Sequence, residues 1–213
     1  MLNQMTDANI VKLSKEEDIV LRDTEFLMHK HSATNKIQQK FMQLRDELKS
    51  AIDAKPFAFP VGTDSETGRI FKGESYLYLP YVNLDYPRKF GTEDVFAFRS
   101  MCWWGNFFSF TLHLQGESFA KIADHEDEII SSISGKEFYI SVHETPWQYH
   151  YGDDNYIPVE NYEDLPETGK TEMRSRNFLK LSRKLELTEW DEIDPFGVET
   201  LQICLDSIRP YFG

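Results

Sequence analysis

Apolar positions recur along this chain with two different periods, and the changes between them lay out the elements. Ile37, Phe41, Leu44, Leu48 and Ile52 return every three or four residues. With Thr34 or Asn35 as a cap and Pro56 as a stop, they predict an amphipathic helix with one buried face. The period then shortens to two. Tyr76 to Tyr86 is apolar on both parities, as a central strand would be, with Pro80 pointing to an edge or bulge and Pro87 closing the run. Phe96 to Trp104 and Phe107 to Leu114 are alternating runs rich in aromatic residues. Gly105-Asn106 between them reads as a two-residue type II′ loop. That loop sets Trp104 opposite Phe107, Cys102 opposite Ser109, Ser100 opposite Thr111 and Phe98 opposite His113. By the same alternation Val95, Ala97, Met101, Trp103, Phe108, Phe110, Leu112 and Leu114 share one face, expected to be covered by helices.

Further along, Ser118 opens a helix through Ile133 that Gly135 terminates. Phe138 to Val142 and Trp147 to Tyr151 alternate as two strands, and Gly152 to Gly169 is a long acidic loop. Leu179, Leu181, Arg183, Leu185 and Leu187 alternate with Lys180, Ser182, Lys184 and Glu186, which predicts a strand with one wet face. Asp194-Pro195 starts a last helix carrying Val198, Leu201, Leu205 and Ile208. Short extended pieces are expected at 57–61 and 69–72, around a polar turn. Residues 1–33 are weakly patterned and read as an extension or short helix. The expected fold is a single α+β domain over residues 34–213, a mostly antiparallel curved sheet flanked by about three helices.

Composition adds limits. The chain has 213 residues, of which 40% are apolar and 14% aromatic, enough for a large sheet-dominated core. A net charge of -13 disfavours nucleic acid and anionic membranes as partners. Cys102 and Cys204 are too few for a disulfide framework or structural zinc site. No signal peptide, transit peptide or membrane span is readable, so a cytoplasmic protein is expected.

Several motifs fall short of the chemistry they suggest. Gly62 to Arg69 lacks the spacing, lysine and hydroxyl residue of a phosphate loop. His143-Glu144 has Trp147 where a zinc protease needs its second histidine, and Pro146 breaks the required helix. His113, His143 and His150 with Asp85 and Glu144 have no diagnostic metal-ligand spacing, and no metal or other cofactor is assigned. Lys170, Arg174, Arg176, Lys180, Arg183 and Lys184 form a basic strip after the acidic loop. It reads as a solvated strand face with local charge partners, or as a docking strip for an acidic partner or a nucleic acid.

Two features of the hairpin carry the candidate site. Arg99 lies on the expected core face, where its guanidinium must find a carboxylate such as Asp85 or Glu74, reach water, or clamp an anionic ligand. On the opposite face Ser100, Cys102, Ser109, Thr111 and His113 form a polar patch framed by Phe96, Phe98, Trp104 and Phe107. Within it, His113 is the expected polar anchor and Trp104 the stacking wall. Arg99, Ser100, Trp104, Thr111 and His113 are therefore the candidate ligand-binding residues. The patch has a bland alternative, a second packed layer in which the N-terminal segment or a helix covers the aromatics and the hydroxyls bond across strands.

Gly73 to Tyr76, Leu79 to Val82, Leu84 to Arg88 and Trp103 to Phe108 resemble a family of uncharacterised bacterial proteins, over about residues 70–115. The expected architecture is similar to helix-grip and TATA-binding-protein-like folds, which host unrelated functions, so neither resemblance implies an activity. The functional expectation is a non-catalytic domain that binds a small anionic ligand or a protein partner on an aromatic-lined sheet face. The alternative is a small hydrolase or transferase drawing acid-base groups from His113, His143, Glu144 and His150.

Overall fold

The computed structural model describes residues 12–162 and 164–213. The chain divides into two compact units, residues 1–37 and 38–213. In the first, α1 (Lys15–Arg22) opens on a capping box in which Ser14 and Glu17 satisfy each other's backbone amides. Helix α2 (Thr24–Ala54) follows. It starts ten residues before the expected cap at Thr34, because the Asp23 carboxylate accepts from the Phe26 amide. Thr34 instead bonds back to the Lys30 carbonyl from within the helix. The part of the expected extension that falls on residues 1–11 lies outside the described residues.

The second unit is an α+β fold on one seven-stranded, entirely antiparallel sheet, in the order β1-β2-β3-β4-β7-β5-β6. The strands are β1 (Arg69–Tyr76), β2 (Leu79–Phe90), β3 (Val95–Trp103), β4 (Phe107–Gln115), β5 (Tyr139–Ser141), β6 (Tyr156–Pro158) and β7 (Phe178–Glu186). Strand β2 runs on through Pro87 by means of a register shift between Asp85 and Arg88. Beyond α2 the helices are α3 (Glu117–Ala120), α4 (Glu126–Ile133), α5 (Glu167–Ser175) and α6 (Ile193–Ile208), more than the three expected. Part of the surplus comes from the expected 118–133 helix, which breaks into α3, a 3-10 turn and α4; another part is α5, formed from the end of the acidic loop and the start of the basic strip.

The hairpin register differs from expectation by one residue. Trp103 faces Phe107, Met101 faces Ser109, Arg99 faces Thr111 and Ala97 faces His113. The loop has three residues, because the Asn106 amide bonds to the Trp103 carbonyl while Gly105, at φ 72°, takes the left-handed conformation. A one-residue slip reassigns faces: Phe96, Phe98, Ser100 and Cys102, not Ala97 and Met101, join Phe108, Phe110, Leu112 and Leu114. This is the helix-covered face. Phe96 packs on Phe57 and Phe212, and Phe110 on Phe196. Helix α6 crosses closely because Gly197 has no side chain; a Cβ there would come within 2.9 Å of Leu44 and Phe110. Arg183 is buried on the same face, stacked 4.1 Å from the Phe196 ring and bonded to Glu199 and Thr200.

Glu126, the first residue of α4, is 4% exposed. Burial raises its carboxyl pKa from 4.5 to about 7, with Asp127 adding to the rise and Arg176 and Arg174 opposing it. Between those values the folded chain holds a proton that the unfolded chain has released, so stability falls as pH rises. Glu126→Gln should flatten that fall and be more stable at pH 8 by on the order of 2–3 kcal/mol. Urea unfolding at pH 5 and pH 8 measures it, and an unaltered pH slope would remove Glu126 as its source.

Candidate functional site

The other sheet face is also covered, by a loop instead of helices. Val142 to Asn155 leaves the sheet after β5 and returns just before β6, its ends joined by the Val142 amide and the Asn155 carbonyl at 2.7 Å. Trp147 to Tyr151, expected to be a strand, lies in this loop, and His143 and His150 lie there with it. Pro146 and the Gly152 turn keep the segment from pairing as a ladder, so its aromatic rings pack down on the sheet instead. The Tyr149 ring meets Tyr76 at 6.1 Å, Tyr151 meets Phe107 at 4.9 Å, and Trp147 meets the His113 ring at 5.4 Å. The Tyr76 hydroxyl holds the loop down by accepting from the Tyr149 and His150 amides at 2.6 and 3.1 Å. Arg176 fixes its first residues by donating to the Ser141 and His143 carbonyls.

Beneath the loop the alternation of the strands places a polar layer. One row crosses four strands as Asp85, Arg99, Thr111 and Ser182, and the next pairs His113 with Lys180. Arg99 binds Asp85 with both prongs of its fork, Nε to Oδ1 at 2.6 Å and Nη2 to Oδ2 at 2.8 Å. Its Nη1 donates to the Tyr149 hydroxyl at 2.6 Å. Although burial opposes its charge, the Asp85 carboxylate holds the guanidinium pKa above its ordinary value. The Thr111 and Ser182 hydroxyls lie 2.7 Å apart, and the Tyr151 hydroxyl donates to Ser182.

Among the described residues Lys180 has no such carboxylate. Its side chain is fully buried, with Nζ donating to the Gln148 carbonyl and standing 4.2 Å from the centre of the Tyr149 ring and 5.1 Å from that of Tyr156. Burial pushes its pKa well below the usual lysine value, and the charges that add to the shift are the cations Arg99 and Arg176. His113 is 3% exposed, and its Nε2 has no hydrogen-bond partner among the described residues. Burial, then Lys180 and Arg99, push its pKa well below the ordinary histidine value, with the Gln115 side chain opposing the shift.

The structure thus brings together Arg99, Thr111 and His113 and separates them from the other two candidates. Ser100 is on the helix-covered face, and Trp104 is in the hairpin loop. Of the bland alternative, the cross-strand bond is met by Thr111 with Ser182, but the cover is the 142–155 loop and not the N-terminal segment or a helix. Lys180 and Ser182, expected on a wet face, are 0% exposed, whereas Lys184 and Glu186 farther along β7 remain exposed. The usable signal was the density of aromatic residues in 147–156, which needed an apolar or cation-presenting surface to pack on.

The three histidines have separate surroundings. His113 sits beside Trp147; His143 accepts from the Thr145 amide; His150 lies between Tyr76 and Asp154. The chain Tyr76, His150, Asp154 has the order of a proton relay, with contacts of 3.2 and 3.1 Å. The phenol is nevertheless committed to two loop amides, and burial raises its pKa, so it is a poor nucleophile or base. Among the described residues no group of three or more His, Cys, Asp or Glu could hold a metal ion, and no helix is long and apolar enough to cross a membrane. Comparison with protein-family models, curated proteins and solved structures finds no match.

Proposed function

We propose that this protein is a non-catalytic binding domain that takes a small anionic ligand on the polar sheet face beneath the Val142–Asn155 loop, with Arg99, His113 and Lys180 as the recognition residues. The observation that carries this reading is Lys180. A buried ammonium normally sits against a carboxylate, and an unpaired one costs several kcal/mol. Here the charges that act on it are cations, and Nε2 of the adjacent imidazole makes no hydrogen bond among the described residues, although the Gln115 side chain lies close enough to act on the ring. An anion entering the layer would favour the protonated amine and supply its counter-charge, with an acceptor or donor for His113 Nε2, while Arg99 would keep Asp85 and offer the edge now held by Tyr149. The covering loop rests on side-chain contacts and a few hydrogen bonds instead of a ladder, so it is the element that would lift to admit the ligand.

The test is thermal unfolding with inorganic phosphate, sulfate, citrate and short dicarboxylates, on the wild type and Lys180→Met. Phosphate and sulfate also stabilise proteins by exclusion from the surface, so the difference between the two proteins is the measurement. At about 100 times its Kd a ligand adds about 2.7 kcal/mol, a rise of several degrees. The expected result is that at least one anion raises the wild-type Tm and leaves Lys180→Met unmoved. No response, or an equal response in both proteins, would remove the proposal.

A further inference from the structure

We infer that the sheet has a second docking place, at a gap in its ladder between β7 and β5, and that this gap takes an extended segment of another polypeptide carrying lysine or arginine. Strand β7 pairs with β4 along its whole length, from Phe178 to Glu186, but with β5 only at Leu181 and Ser182. The register sets Tyr139 opposite Ser182, and continued by two residues it would set Glu137 opposite Lys184. That pair does not form. Glu137 stands in the left-handed conformation, at φ 60°, and turns the chain out of the ladder there.

The direction of the backbone groups along β7 follows from its last residue. The Glu186 amide donates to the Glu189 carboxylate at 3.1 Å, and the Glu186 carbonyl accepts from the Glu189 amide at 3.0 Å, so both groups point away from β4. Successive residues of an antiparallel strand turn their backbone groups to alternate edges. The N–H and C=O of Lys184 therefore point the same way, into the gap, where no strand among the described residues pairs with them.

A cavity of about 640 Å³ opens at this gap, within the size range of ligand pockets. Phe138, Leu185 and Phe196 give it apolar walls, and Glu137, Glu160, Glu189 and Glu192, all exposed, line it as well. Two of these carboxylates are held in place, Glu160 by the Gly135 amide and Glu189 by that of Glu186. Lys184 is the one basic residue of the lining among the described residues, and its ammonium stands over the Tyr139 and Tyr151 rings, at 5.8 and 5.3 Å. The nearby Arg183 is buried and committed to Glu199 at 2.7 Å, with Glu137 at 3.7 Å.

Charge and strand edge together define the occupant. An acidic cavity on a chain of net -13 draws in cations and repels acidic partners. A free amine would meet the carboxylates and leave the Lys184 backbone unpaired. An extended polypeptide meets both: one of its residues exchanges two hydrogen bonds with Lys184, and the residues on either side of it turn their side chains to the face of Leu185, where the cavity offers aromatic walls and carboxylates to a cation.

Amide chemical shifts of the isotope-labelled full chain, titrated with the end-blocked peptide Thr-Val-Lys-Val-Lys-Val-Thr, test this. The expected result is that the peptide moves the amides of Lys184 and Leu185 at micromolar to millimolar concentration, and that its counterpart with glutamate for both lysines does not. N-methylation of the central valine removes the donor to the Lys184 carbonyl and should weaken binding about threefold to tenfold. Glu192→Gln should weaken it about twofold to fivefold with the fold intact, since that side chain makes no capping bond to α6. Unmoved Lys184 and Leu185 amides with the lysine peptide in the millimolar range would overturn the inference, as would equal binding of the glutamate peptide. Free lysine amide binding as tightly as the peptide, or indifference to N-methylation, would overturn it too, by showing that the cavity takes a lone cation and the strand edge is not used.

Discussion

Replacing Asp85 with alanine should destabilise the protein by about 3–5 kcal/mol, because it strands a buried guanidinium. The Arg99 side chain is 13% exposed and that of Asp85 4%, so neither finds water when its partner is removed. Losing Asp85 breaks two short charge-assisted bonds and leaves Arg99 with the Tyr149 hydroxyl and the faces of Phe71, Phe90 and Tyr149. Arginine has no accessible neutral form, so no change of pH recovers the loss. Arg99→Met leaves the opposite orphan, a buried carboxylate, which can take up a proton. That variant should regain stability as pH is lowered, whereas Asp85→Ala should not. The double variant should cost less than the sum of the two, since the orphan disappears with the pair. Urea unfolding of the four proteins measures the coupling. A cost below about 1 kcal/mol for Asp85→Ala would mean that the guanidinium reaches solvent.

How much of this was readable in the residues depended on whether a local rule could decide it. The stripe Ile37, Phe41, Leu44, Leu48, Ile52 is buried throughout α2, because a period of 3.6 with a wide apolar face admits one arrangement. The hairpin partners were equally clear, but their register was not. Gly-Asn closes a two-residue loop in one geometry and a three-residue loop in another, and the choice rests on whether the Asn106 amide reaches the Trp103 carbonyl. That single contact moved Ser100 and Cys102 to the helix side and set Arg99 opposite Thr111. The pairing of Arg99 with Asp85 was foreseeable despite the slip, since an arginine within an apolar strand needs a carboxylate on either face. Lys180 was not foreseeable. A strand alternating Leu with Lys and Ser reads as half wet on local grounds, and only the loop whose Gln148 lies 32 residues upstream of Lys180 decides that it is dry.

Charge shows the same limit of averages. A chain of net -13 reads as hostile to anions, yet the covered sheet face gathers Arg99, Lys180 and Arg176, and of these only Arg99 bonds a buried carboxylate, Asp85. In a layer excluded from water, local charge outweighs the distant and screened surface charge. On the proposed reading, the acidic exterior would limit which anions approach and how fast, and the interior would decide which of them stay.

Lys180→Met should act in the opposite direction to Asp85→Ala, although both substitutions remove a charged group from the same layer. Methionine fills about the volume of the lysine stem and deletes only the bond to the Gln148 carbonyl and the contacts with the Tyr149 and Tyr156 rings. The wild type instead bears the cost of an amine held away from water with cations as its neighbours, which is why its pKa is lowered. Between that lowered value and the ordinary 10.5 the unfolded chain binds one proton more than the folded chain, so wild-type stability rises with pH across the window. Lys180→Met should remove that rise and be more stable at pH 7 by about 1–3 kcal/mol, the gain seen when buried ions give way to apolar residues of similar size. The gap between the two proteins should close toward pH 10. Denaturant unfolding at pH 6, 8 and 10 reads all three statements. Lys180→Met less stable at every pH would show that the amine supports the fold, and the layer would then lose its strongest support as the proposed anion site.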